Sequence, residues 1–63
     1  YACTTHIGPY DQLGTAWARF MGEWLPQSGQ RLNTDGVSYE IYRNTPGEVS
    51  EEKLETELYI PLA

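Results

Sequence analysis

The sequence predicts an α+β fold, with one helix packed on an antiparallel sheet in the order strand, helix, strand, strand. Three observations predict it. Apolar residues recur at helical spacing from Leu13 to Leu25. The stretches "VSYEIY" and "LETELYIPL" are built from β-branched, aromatic and aliphatic residues that alternate with polar ones. Gly-Pro, Ser-Gly and Pro-Gly pairs punctuate the chain between these segments.

Each element follows in order. Residues 1–7 are rich in Tyr, Cys, Thr and Ile and stop at "GPYD", which marks a strand ending at a Gly-Pro break. Pro9 suits the first turn of a helix, where its missing N–H costs nothing, and Asp11 adds negative charge at the helix start. Leu13, Ala16, Trp17, Phe20, Met21, Trp24 and Leu25 then form one apolar stripe, opposite Gln12, Thr15, Arg19 and Glu23. The helix is expected to end at Leu25-Pro26, because the residue before proline avoids the helical region. Gly14 and Gly22 inside it either allow close approach to a neighbour or are tolerated on the surface. "QRLNTDG" is a polar connection to the second strand, 37–42. In the loop after it, Pro46-Gly47 suits the centre of a type II turn, and Ser50 is placed to cap a single helical turn over "SEEK". The third strand runs over 54–60 and ends at Pro61.

Size and charge set limits. The chain has 63 residues, enough for a single thin domain over 1–63. A domain of this size buries only about 60% of the surface its unfolded chain exposes and gains from a partner. The lone Cys3 excludes an internal disulfide and, with the lone His6, leaves no metal motif; no cofactor is called for. Cys3 is expected to be buried and unreactive, and His6 structural. Four basic residues stand against nine acidic ones, a net charge of -5, which argues against nucleic-acid binding by this segment and favours cationic ligands or basic partners. The acidic cluster Glu48, Glu51 and Glu52 reads as solvated loop surface. No apolar run approaches the ~20 residues a membrane span needs. No charged and apolar leader precedes the first strand, so a cytoplasmic location is expected. The chain also begins directly in strand-like residues without Met, as a piece of something longer would.

Strand side chains alternate faces. Val37, Tyr39 and Ile41 share one face of the second strand, and Ser38, Glu40 and Tyr42 share the other. In the third strand Leu54, Thr56, Leu58 and Ile60 lie opposite Glu55, Glu57 and Tyr59. Seating the helix on the aliphatic sets leaves Glu40, Tyr42, Glu57 and Tyr59 together on the far face. A carboxylate among rings, with no built-in basic partner, attracts organic cations, and ring faces add about 0.5–2 kcal/mol each by cation–π attraction. Covering that face would desolvate Glu40 and raise its pKa. An ordinary solvated sheet face carries Glu, Ser and Tyr as well.

"GPYDQLGTAWARFMGEWLPQSG", followed by "YEIYRNTPGEV" and "LETELYIPL", resembles the GyrI-like small-molecule-binding domain. That domain is the effector-binding part of AraC-type and multidrug-sensing MerR-type transcription regulators and occurs in DNA gyrase inhibitory proteins. The resemblance runs across nearly the whole chain. It implies one strand-helix-strand-strand module, half of a pseudo-twofold tandem domain whose ligand cleft lies between two modules. This chain resembles the second module. A longer protein or an isologous dimer would supply the other half.

The same resemblance implies that Glu40, in Tyr39-Glu40-Ile41-Tyr42, projects into the cleft and contacts a cationic or polar ligand. Tyr42 and Tyr59 are wall candidates by strand parity, and Trp17 and Tyr10 match aromatic positions near the helix, although Trp17 also sits on the apolar stripe. No catalytic residue is assigned. Two alternatives accompany the binding module of a transcription regulator. One is a small hydrolase of electrophilic toxins using Glu40. The other is a protein-binding inhibitor such as a gyrase modulator, acting through acidic surface.

Overall fold

A computed structural model describes all residues, 1–63. Strand β1 (Ala2–Ile7) leads through Gly8 into a helical segment over 10–28, here called α1. Strands β2 (Tyr39–Tyr42) and β3 (Glu55–Ile60) follow. The three strands form one antiparallel sheet in the order β1-β3-β2, with β3 in the middle. One helix on a three-stranded antiparallel sheet is the α+β arrangement that the periodicities predict.

Helix α1 is not uniform. It opens with a 3-10 turn at Tyr10–Gln12, runs as regular α-helix over Leu13–Arg19, widens to a π-helical turn at Phe20–Trp24, and resumes over Leu25–Ser28. Pro26 therefore does not end it. A proline ring inside a regular helix collides with the carbonyl four residues back. In the widened turn the Leu25 N–H bonds Phe20, five residues back, and the chain passes through Pro26 without breaking. The helix stops at Gly29, whose φ of 77° is the left-handed conformation that glycine adopts without strain.

Two loop expectations are corrected. The Glu48 N–H bonds the Thr45 carbonyl at 2.9 Å around Pro46-Gly47, but Gly47 has no positive φ, so the turn is not type II. Ser50 precedes a 3-10 turn at Glu51–Lys53, yet its side chain makes no capping hydrogen bond; the Lys53 N–H bonds the Ser50 carbonyl instead.

The core lies between α1 and the inner face of the sheet. Leu13 and Phe20 from the helix meet Leu58 and Ile60 from β3, flanked by Ala16, Trp17, Met21 and Leu25. Leu54, Thr56, Leu58 and Ile60 are all fully or almost fully buried. Only eight residues of the chain are buried, the thin core expected at this length. Gly14 and Gly22 have open space where a Cβ would stand, so they are surface glycines and not points of close approach. The close approach is at Gly36. A Cβ there would lie 2.5 Å from Pro61, which clamps the 30–38 connection against the end of β3.

The faces of β2 are the reverse of the expectation. Cross-strand partners share a face. Glu40 lies opposite Leu58 and Tyr42 opposite Thr56, so both point toward the helix. Tyr39 lies opposite Tyr59 and Ile41 opposite Glu57, and these point away. The sequence alone does not fix which set of β2 meets the aliphatic set of β3. Hydrophobicity favours Val37, Tyr39 and Ile41 inside; the register puts them outside. Cys3 is corrected with them, since it lies opposite Tyr59 on the outer face and is exposed.

Candidate ligand-binding site

Glu40 sits at the flank of α1, partly buried, where two side chains reach its carboxylate. The Trp17 indole N–H donates to Oε1 at 2.6 Å, and the Tyr42 hydroxyl donates to Oε2 at 2.6 Å. Trp17 comes from the helix stripe and also packs against the core cluster, so one ring serves both packing and the carboxylate. Tyr42 is two residues along the same face of β2. Its ring meets the Tyr10 ring with centroids 5.3 Å apart and planes tilted by 60°. Tyr10 is held from the other end, its hydroxyl donating to the Asn44 carbonyl at 3.3 Å.

Asn44 anchors this corner. Its Oδ1 accepts the Glu55 N–H at 2.9 Å, and its Nδ2 donates to the Lys53 carbonyl at 3.3 Å, closing the loop between β2 and β3. Sequence reasoning did not single out Asn44 as a support; an Asn just past a strand, before Thr-Pro-Gly, is the available signal.

The electrostatics follow from these contacts. The hydrogen bond from Tyr42 and then that from Trp17 stabilise the ionised carboxylate, and together they outweigh partial burial, which acts the other way. The Glu40 pKa is therefore lowered, not raised by cover as anticipated. The Tyr42 phenol is pushed up in return, because losing its proton would break the bond to Glu40 and bring two negative charges together. No Lys or Arg pairs with Glu40; the ion pair in the chain, Arg19 with Glu23 at 4.0 Å, lies on the exposed face of the helix.

Of the residues singled out from sequence, Glu40, Tyr42, Trp17 and Tyr10 are thus brought together. Tyr59 is not. It projects from the opposite face of the sheet, stacked on Tyr39 with centroids 4.8 Å apart and planes within 10°, and its hydroxyl donates to Glu57. Cys3 and Glu57 beside it push the Tyr59 phenol up to about 12. Tyr1 extends this outer aromatic row, 5.6 Å from Tyr39.

A second concavity lies on the other flank of α1. It is an open groove of about 720 Å³ between β1 and the helix, with His6, Gln12, Arg19, Phe20 and Trp24 among its lining residues. None of the predicted ligand residues lines it. His6 is otherwise occupied, its Nε2 lying 3.2 Å from the Pro9 carbonyl oxygen.

A carboxylate presented between a tryptophan and two tyrosines, on a strand-helix-strand-strand module, is the arrangement that the sequence resemblance led to. The sequence matches the GyrI-like small molecule binding domain family over residues 1–63. The chain belongs to the GyrI-like small-molecule-binding domain family. It is also 36% identical, over 64 aligned positions and its whole length, to a probable transcriptional regulator, YgiV, of Escherichia coli K12, and equally to the YgiV protein of Escherichia coli O157:H7. The GyrI-like chain spans 39% of the length of each of those relatives. No helix in it is long and apolar enough to cross a membrane.

Proposed function

We propose that this chain is a binding module for an organic cation, with Glu40 as the counter-ion and Trp17, Tyr42 and Tyr10 as the aromatic surround. The observation that carries the reading is the state of the Glu40 carboxylate. Two neutral donors fix its position and keep it ionised, while no cationic side chain neutralises it. Each oxygen accepts one hydrogen bond and keeps acceptor capacity for a ligand. A positive charge placed there meets a formal anion and nearby ring faces.

A second module, in the same protein or from a second copy of the chain, completes the cleft. The open edge of β1 supports this. The Gly8 N–H bonds the Leu54 carbonyl, so hydrogen-bonded pairs with β3 fall on the even-numbered residues of β1. Cys3, Thr5 and Ile7 then direct their backbone groups away from the sheet. The edge carries no Lys, Arg, Asp, Glu or Pro to deter another strand. In the longer protein, by likeness to the YgiV relatives, the module serves as the effector-binding part of a transcription regulator.

The lowered pKa of Glu40 supports binding over hydrolysis, since general acid–base catalysis works best with a group poised near the operating pH. The test is Glu40→Gln in the complete protein, with tetraphenylphosphonium as the probe. Loss of binding with an unchanged circular dichroism spectrum supports the reading. Unchanged affinity overturns it. A protein partner that still binds the Glu40→Gln variant would indicate action through the acidic surface instead.

A further inference from the structure

Thr56 breaks the aliphatic row of β3, and its hydroxyl is fully buried with no hydrogen-bond partner. Buried hydroxyls are nearly always paired, and an unpaired one is unfavourable. Its surroundings say where a partner would come from. Thr56 lies opposite His6 on one side and opposite Tyr42 on the other, so the three form a row across the inner face. His6 touches the Pro9 carbonyl, and Tyr42 meets the Tyr10 ring. The Pro9–Tyr10 segment therefore spans from one end of the row to the other, passing over Thr56 as a strap.

That strap is lightly tied. Its polar contacts to the sheet are the His6–Pro9 contact at 3.2 Å and the Tyr10–Asn44 bond at 3.3 Å. It begins at Gly8, whose φ of 139° only glycine adopts easily. Glu40 is the diagonal neighbour of Thr56, across one strand and two residues along. Diagonal neighbours in an antiparallel pair stand about 7–8 Å apart.

We propose that Thr56 is the second recognition point of the Glu40 site. With the Pro9–Tyr10 strap displaced, its hydroxyl hydrogen-bonds a neutral polar group of a ligand whose cationic end sits at Glu40. The ligand class is an aromatic amine carrying a hydroxyl or similar group about 7–8 Å from its ammonium nitrogen. This rests on the counter-ion reading of Glu40 and adds a separate requirement to it.

Tyramine and phenethylamine test both parts, because they differ only in a phenol hydroxyl at about that span. The complete protein is titrated with each amine by amide chemical shifts, as wild type and as the Thr56→Val, Thr56→Ser and Glu40→Gln variants. Wild type is expected to favour tyramine by about tenfold, the scale of one well-made hydrogen bond. Thr56→Val removes that preference by weakening tyramine alone, without lowering the melting temperature; Thr56→Ser keeps the preference. Equal wild-type affinity for the two amines, or no binding of either, overturns the proposal. So does a Thr56→Val variant that melts earlier and loses both amines alike, which marks a purely structural hydroxyl. Glu40→Gln is expected to weaken both amines equally. A variant that still binds both overturns the counter-ion reading, while the preference lost in Thr56→Val would stand.

Discussion

Glu40 stands directly across from Leu58, so a carboxylate and a fully buried leucine share the helix-covered side of one strand pair. The arrangement holds because the indole of Trp17 and the hydroxyl of Tyr42 take the place of water at the carboxylate.

The first consequence concerns pH. The Glu40 pKa is depressed from its ordinary value of 4.5 in the folded chain. A depressed carboxylate stabilises the fold fully above its unfolded pKa, and that contribution is lost as the pH falls through the lower folded value. Melting temperature is expected to decline below about pH 4.5 in wild type. The Glu40→Gln variant should lose part of that slope. Parallel acid profiles for the two proteins would refute the assignment.

The second concerns the two donors. Trp17→Phe keeps a ring on the apolar stripe and deletes the indole N–H; Tyr42→Phe deletes the other donor. Each should let the Glu40 pKa rise toward 4.5, and Tyr42→Phe should raise it more, because the Tyr42 bond is the larger cause of the shift. Carboxyl-carbon chemical shifts across an acid titration read this directly. A Glu40 pKa that moves in neither variant would mean the two hydrogen bonds do not control its charge.

The third separates two kinds of glycine. Gly36→Ala drives a Cβ to within 2.5 Å of Pro61, whose ring cannot rotate away. Such overpacking is expected to destabilise by about 1–3 kcal/mol. Gly22→Ala meets open space in the middle of α1 and should stabilise by up to about 1 kcal/mol. Urea melts of the two variants are expected to shift in opposite directions, and shifts of the same sign would contradict the packing described.

Element identities were legible where a single periodicity decides them. Leu13 to Leu25 could only be a helix stripe, and Leu54, Leu58 and Ile60 could only be an inner strand face. Residue 40 was identified as the central group, but its side of the sheet was not. Alternation says which residues of β2 go together and leaves open which set turns inward. Tyr39 and Ile41 look like core residues by composition, and only the pairing with Tyr59 and Glu57 places them outside. Tyr59 was grouped with Glu40 by the same inversion. The passage through Pro26 depends on hydrogen bonds five residues apart, which composition does not announce. Thr56 carried a visible signal, as the one polar residue of its row.

The outward set on β2 also shapes the thermal behaviour of the molecule. Tyr1, Ile7, Tyr39 and Ile41 already meet water in the native state. Melting therefore hydrates less new hydrocarbon than usual, and the heat-capacity increment falls below the customary ~12–15 cal/mol/K per residue. A small increment flattens the dependence of stability on temperature. The chain on its own should lose structure over a wide span of degrees, with no sharp optimum.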